Sequence, residues 1–204
     1  MRRWKWLVPL LLALTLVWGF ALQQAVTTLE CGASLVRGGS LHTGAVLKQR
    51  YLVECYGPDG ELKWAETIDN LVVTEGLNKY LDATLKTGLS SPAWYVFLKG
   101  SGTVQASDTM SSHPNWNELT PYSNATRPQW NPGTISNGSV DNSGSKAQFN
   151  INASSTIYGA GMCDDDTKGG TSGTLLGAGD FSSSRSVESG DTLNVTITCS
   201  LTAS

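Results

Sequence analysis

Hydrophobic and polar residues alternate with a period of two over much of the chain beyond residue 48, the mark of half-buried strands. Tyr51, Val53 and Cys55 fall on one side of a strand over Lys48–Tyr56, with Arg50 and Glu54 on the other. Gly57-Pro58-Asp59-Gly60 supplies a turn, because proline presets φ and glycine accepts the positive φ that closes it. Leu62 and Trp64 then resume the core face, so the pattern predicts a hairpin. The cleanest alternation comes last: Leu193, Val195, Ile197, Cys199 and Leu201 interleave with Asn194, Thr196, Thr198 and Ser200. Between these ends the pattern predicts short strands at Trp94–Lys99, Ala147–Ile151, Thr156–Met162 and Thr174–Ala178.

One segment has helical period instead. After Asn70-Leu71-Val72-Val73, Leu77, Leu81 and Leu85 recur on one face with Tyr80 beside them, predicting an amphipathic helix over 74–87. Thr74 is placed to cap its first N–H groups, Glu75 suits the positive helix end, and Gly88 ends it. The expected fold is mainly β, a sandwich or jelly roll carrying this helix across one open end or face. Residues 100–145 have little periodicity, and loops of that length are uncommon unless functional or disordered. An ordered excursion is expected, with Trp116, Tyr122 and Trp130 as candidate anchors of the loop or of an interface.

Composition supports this reading. Only 15% of residues are charged, against a usual share of about 25%. Gly, Ser, Thr and Asn replace them, residues of turns and strand surfaces. Arg2, Arg3 and Lys5 sit in residues 1–25, which hold no acid. The remainder has 11 basic and all 17 acidic residues, a net of −6. That body lacks the clustered Lys and Arg that nucleic acid requires, so nucleic acid is not an expected partner.

The chain divides into an apolar signal-like or anchor-like segment (1–25), a linker (26–45) and a β-sandwich structural domain (46–204). Trp6–Leu22 is an almost unbroken apolar run behind a positive start, with Gly19-Phe20-Ala21 as a small-residue exit. Taken alone it describes a secretory signal or a short membrane anchor. A membrane enters only if this segment is a genuine signal or anchor.

Candidate chemistry is sparse. Cys31, Cys55, Cys163 and Cys199 form no C-x-x-C pair, so no zinc site is expected and they read as buried apolar residues on strands. Cys163 and Cys199 could neighbour one another on adjacent strands. Asp108, His113 and Glu118 lie close in sequence near several serines, but no G-x-S-x-G turn activates one. His113 reads as a surface or loop-packing residue, and His42 has no partner. Asp164-Asp165-Asp166 reads as a solvated turn, since neighbouring side chains diverge and make poor calcium geometry. The sequons at Asn124, Asn137, Asn152 and Asn194 read as chance in so Asn/Ser/Thr-rich a chain, and Gly169–Gly173 as a turn rather than a phosphate loop. No catalytic, metal or cofactor residues are assigned, and no enzyme activity is expected.

Several words stand in a fixed order. They are Leu71-Val72-Val73-Thr74-Glu75-Gly76-Leu77-Asn78, Trp94-Tyr95-Val96-Phe97-Leu98, Ala106-Ser107-Asp108-Thr109-Met110 and His113-Pro114-Asn115-Trp116-Asn117-Glu118. Tyr122 with Ala125-Thr126-Arg127-Pro128, Val140-Asp141-Asn142-Ser143 and Ser189-Gly190-Asp191-Thr192-Leu193 follow. Together they resemble a family of small structural proteins of tailed bacteriophages, the decoration or cement type on the outer capsid. The resemblance implies a virion protein that binds the major capsid protein, forms a small oligomer and reinforces the lattice. A tail or baseplate component is the alternative within the virion. A secreted or membrane-anchored binding module is the alternative outside it. The resemblance also implies that residues 1–45 lie outside the virion domain, with a start near Val36, Leu41 or Val46.

Overall fold

A computed structural model describes residues 44–86 and 91–203. The expectations for residues 1–25, for most of the 26–45 linker with Cys31 and His42, and for the helix end at residue 87 and Gly88 lie outside the described residues. Ala45–Ala203 form one compact unit. In chain order its elements are β1 (Ala45–Tyr56), β2 (Leu62–Val72), α1 (Thr74–Leu81) with a π-helical turn over Asp82–Lys86, and β3 (Trp94–Lys99). The short strands β4 (Glu118–Leu119), β5 (Gln129–Trp130) and β6 (Ser139–Asp141) follow, then β7 (Ala147–Asn150), β8 (Ser155–Cys163), β9 (Leu175–Val187) and β10 (Thr192–Ala203). Among the described residues no helix is long and apolar enough to cross a membrane.

The fold is mainly β with one short helix, an antiparallel sheet curled into a half-barrel. Pairing runs β4-β3-β8-β9-β2-β1-β10-β6, with β5 added to β3 and β7 to β10. The predicted hairpin forms: Gly60 takes φ 82°, and Glu61 N–H donates to the Asp59 carboxylate at 3.1 Å across the turn. Directly opposite residues share a face. Tyr51 opposite Ile68 and Ile197, Val53 opposite Val195 and Cys55 opposite Leu193 therefore build one apolar sheet interior. These side chains meet Val96, Leu98, Ile157 and Met162 from the other half of the curl in one core.

The two halves are joined along the ladder by only two residue pairs, Leu71–Ala178 and Val72–Gly177. Beyond them, side chains close the seam. Glu66 lies opposite Val53 and so faces inward. Its carboxylate accepts from Ser182 Oγ at 2.5 Å, Arg185 Nη2 at 2.7 Å and Ser182 N–H at 2.9 Å. Trp64 adds an edge-on contact with Phe181 and donates its indole N–H to the Ser186 carbonyl.

The Ser182 hydroxyl, followed by Arg185, lowers the Glu66 pKa from 4.5 to about 2. A carboxylate whose pKa falls on folding stabilises the native state above its ordinary pKa and loses that contribution as pH falls through the folded value. Stability should therefore drop as pH falls from 4.5 towards 2, and Glu66→Gln should flatten that part of the profile. Thermal melting of both proteins across this range checks it; parallel profiles would mean that the carboxylate does not hold the seam.

Several expectations change. The leucine stripe does not face the core: Leu77, Leu81 and Leu85 are 42%, 51% and 80% exposed, and Gly76 is the buried residue of α1. A methyl group on Gly76 would overlap the Leu176 backbone, so the helix lies against β9 by its backbone and turns the leucines outward. Val73, not Thr74, is the N-cap and has no side-chain cap, while Thr74 N–H donates to the Ala106 carbonyl at 2.9 Å. The Glu75 carboxylate instead accepts the N–H groups of Met110 and Leu175. Leu62 is 53% exposed rather than on the core face. Cys163 and Cys199 are free and lie on strands that do not pair. The strand expected over Thr174–Ala178 continues as β9 to Val187.

Candidate functional site

Residues 100–145 form an ordered excursion, and its three candidate anchors are all buried: Trp116 5%, Trp130 8% and Tyr122 0% exposed. Trp116 belongs to a second core with Phe97, Val104, Met110 and Leu175. It stacks on Phe97 at 5.6 Å, and its indole N–H donates to Asp108 at 2.8 Å. Trp130 donates to the Ile197 carbonyl at 3.2 Å, and Tyr122 packs edge-on against Phe149. All three therefore pin the excursion to the body rather than standing free on its surface.

Sequence reasoning missed the centre of this arrangement, Arg127, which is 1% exposed. Its guanidinium has five N–H donors in a planar fork. Nε donates to Glu118 Oε1 at 3.1 Å and Nη2 to Glu118 Oε2 at 2.6 Å, a bidentate pair. Nη2 also reaches the Gly170 carbonyl at 2.6 Å, and Nη1 reaches the Asp165 carbonyl at 2.8 Å and the Cys163 thiol at 3.2 Å. Every donor is used. The acidic turn serves this buried cation through the Asp165 carbonyl and, at 3.6 Å, the Asp165 carboxylate, while Asp164 and Asp165 also accept backbone N–H groups of Thr174 and Thr167. No charge imbalance or motif marks Arg127 in the sequence.

The residues that resemble hydrolytic machinery are each engaged by other partners. His113 stacks on Trp116 at 3.9 Å and donates Nδ1–H to the Trp116 carbonyl at 2.9 Å. Asp108 is engaged by Trp116 and Gln105, and Glu118 by Arg127. His113 is thus a loop-packing residue. The Cys55 thiol faces the buried Asp191 carboxylate, which Lys63 holds at 2.8 Å. Burial first, then Asp191, pushes Cys55 up to about 12, and burial pushes Cys163 to about 11. Such thiols stay protonated, whereas nucleophilic cysteines need a depressed pKa. Among the described residues no group of three or more His, Cys, Asp or Glu side chains converges as a metal site.

Two surface features remain. One is the outward leucine stripe of α1. The other is a cavity of about 340 Å³ between the helical segment and the sheet. Trp94, Trp130, Met162 and Leu176 supply apolar surface from the sheet, while Tyr80, Ala83 and Thr84 wall it from the helical side. Gln49 and Cys199 are paired neighbours on β1 and β10 and give the wall a polar spot.

No protein-family model and no curated protein matches this sequence. Both surface features involve the helical segment: α1 carries the leucine stripe, and Tyr80, Ala83 and Thr84 wall the cavity.

Proposed function

We propose that this chain is a non-enzymatic structural protein of a tailed-bacteriophage virion. It acts as a capsid decoration or cement protein that binds the outer lattice of the major capsid protein and works as a small oligomer. In this reading the curled sheet is a sandwich or jelly roll of the kind such proteins use. The observation that carries it is the exposed stripe Leu77, Leu81 and Leu85 on a helix seated against the sheet by its backbone. Apolar side chains aligned on a surface mark a protein-contact site. Repetition over a lattice raises the effective concentration of each modest contact, so assembled shells bind far better than free subunits.

Co-sedimentation of the full chain with expanded shells and with dissociated capsid subunits tests this. Binding to shells alone is expected. The triple variant Leu77→Gln, Leu81→Gln, Leu85→Gln should weaken it by at least about tenfold, the effect of losing an interface hot spot. Its folding stability should fall by no more than roughly 0.5 kcal/mol per substitution, as at other exposed positions. Equal binding to shells and subunits, or to neither, would move the protein to the tail or out of the virion. The apolar run Trp6–Leu22 favours the latter alternative, a secreted or membrane-anchored binding module.

A further inference from the structure

The cavity beside α1 lies between the helical segment and the sheet and does not include the exposed leucines of the stripe. Lys79, Tyr80, Thr84 and Ser91 bring polar groups to its helical side, whereas the wall supplied by the sheet is apolar except at Gln49 and Cys199. Gln49 is 2% exposed and lies in a row with Cys199 of β10 and Asn70 of β2, its register partners on either side. Its Oε1 accepts from Asn70 Nδ2 at 2.5 Å and from Tyr51 OH at 3.4 Å, and neither of those residues lines the cavity. Its Nε2 donates to Cys199 Sγ at 3.5 Å, and Cys199 does line it. The amide therefore turns its nitrogen, not its oxygen, to the cavity side. Nε2 has two N–H groups and, among the described residues, one weak sulfur partner, which leaves one donor for a guest.

Volume and chemistry then define the guest. A cavity of about 340 Å³ is within the range of small-molecule sites, roughly 300–1,000 Å³, which are mostly apolar with a few placed polar groups. Trp94 and Trp130 offer aromatic surface to a hydrocarbon body. A charged head at the depth of Gln49 would be buried without an opposite charge at hand, since Lys79 at the rim is already within 3.4 Å of Asp164.

We propose that this cavity is a binding site for a small uncharged apolar molecule bearing one hydrogen-bond acceptor, a carbonyl or ether oxygen, which Gln49 Nε2 receives.

Titration of the full chain with methyl pentyl ketone, heptane and heptanoate tests the proposal, read from the indole N–H signals in proton–nitrogen NMR spectra. The ketone should shift Trp94 and Trp130 and leave Trp64 and Trp116 unmoved. It should bind roughly threefold to tenfold tighter than heptane, the worth of one hydrogen bond. Gln49→Leu should remove that preference, and Ala83→Phe, which fills the cavity from the half-exposed helical wall, should abolish binding of both. If Gln49→Leu fails to fold, the comparison of ketone with heptane in the parent and the Ala83→Phe result decide alone. Absence of shifts, shifts that survive Ala83→Phe, or equal affinity for ketone and heptane would overturn the proposal. Heptanoate binding tighter than the ketone would overturn the uncharged class.

Discussion

Arg127→Ala is expected to lower folding stability by about 3–5 kcal/mol, because it leaves a buried carboxylate without its cation. The Glu118 side chain is only 4% exposed, and the guanidinium donates to both its oxygens, with a longer contact of 3.5 Å from the Tyr122 hydroxyl to Oε1 as its other support. The carbonyls of Asp165 and Gly170 lose a donor as well. Arg127→Lys should recover only part of the loss, since an ammonium has three donors and no planar fork. Exchanging both charges for apolar residues, Arg127→Met with Glu118→Leu, should recover more than restoring the charge alone. Chemical denaturation gives the energies. Hydrogen exchange locates them: backbone protection within residues 100–145 should fall before that of β1 and β10. A loss under about 1 kcal/mol for Arg127→Ala, the range of exposed ion pairs, would show that this cluster does not hold the excursion.

Phe97→Ala should be of similar size, about 3–5 kcal/mol for a fully buried aromatic ring. The ring stacks on Trp116, lies 5.9 Å from the Arg127 guanidinium and fills the space over Gly161. Removing it takes the support from under Trp116, so the near-ultraviolet circular dichroism of the tryptophans should weaken along with stability. Gly161→Ala presses on the same contact from the other side. The added methyl group meets the Phe97 ring, and overpacking of this kind costs roughly 1–3 kcal/mol. Phe97 and Arg127 share neighbours, so the double variant should depart from additivity by about 0.5–3 kcal/mol. Strict additivity would mean that the aromatic stack and the ion pair hold separate parts of the excursion.

What the sequence determined by itself was local. Strict alternation marked β1 and β10, where one side of each strand is buried and a slip of one residue would turn every core side chain outward. The turn 57–60 and β3 were equally legible, because proline, glycine and a dense apolar run act within a few residues. The helix was recognised near its correct place for the same reason.

Only the tertiary structure decided which way that helix faces. Leucines at helical spacing report that one face is apolar, not that this face is covered. Gly76, with no side chain, permits the backbone approach to Leu176 that turns the stripe outward. The far half of β9 was hidden because Gly179, Asp180 and the serines after Phe181 have weak strand preference, and pairing with β8 supplies the order instead. Arg127 was hidden for a related reason. Its partners Glu118, Cys163, Asp165 and Gly170 come from separate stretches of chain. The cavity follows the same rule, since Gln49, Trp94, Trp130 and Cys199 share a wall only after β1, β3, β5 and β10 have come together. Periodicity reads forces that act between near neighbours, whereas burial of a charge or the shape of a cavity depends on contacts made only when distant segments pack.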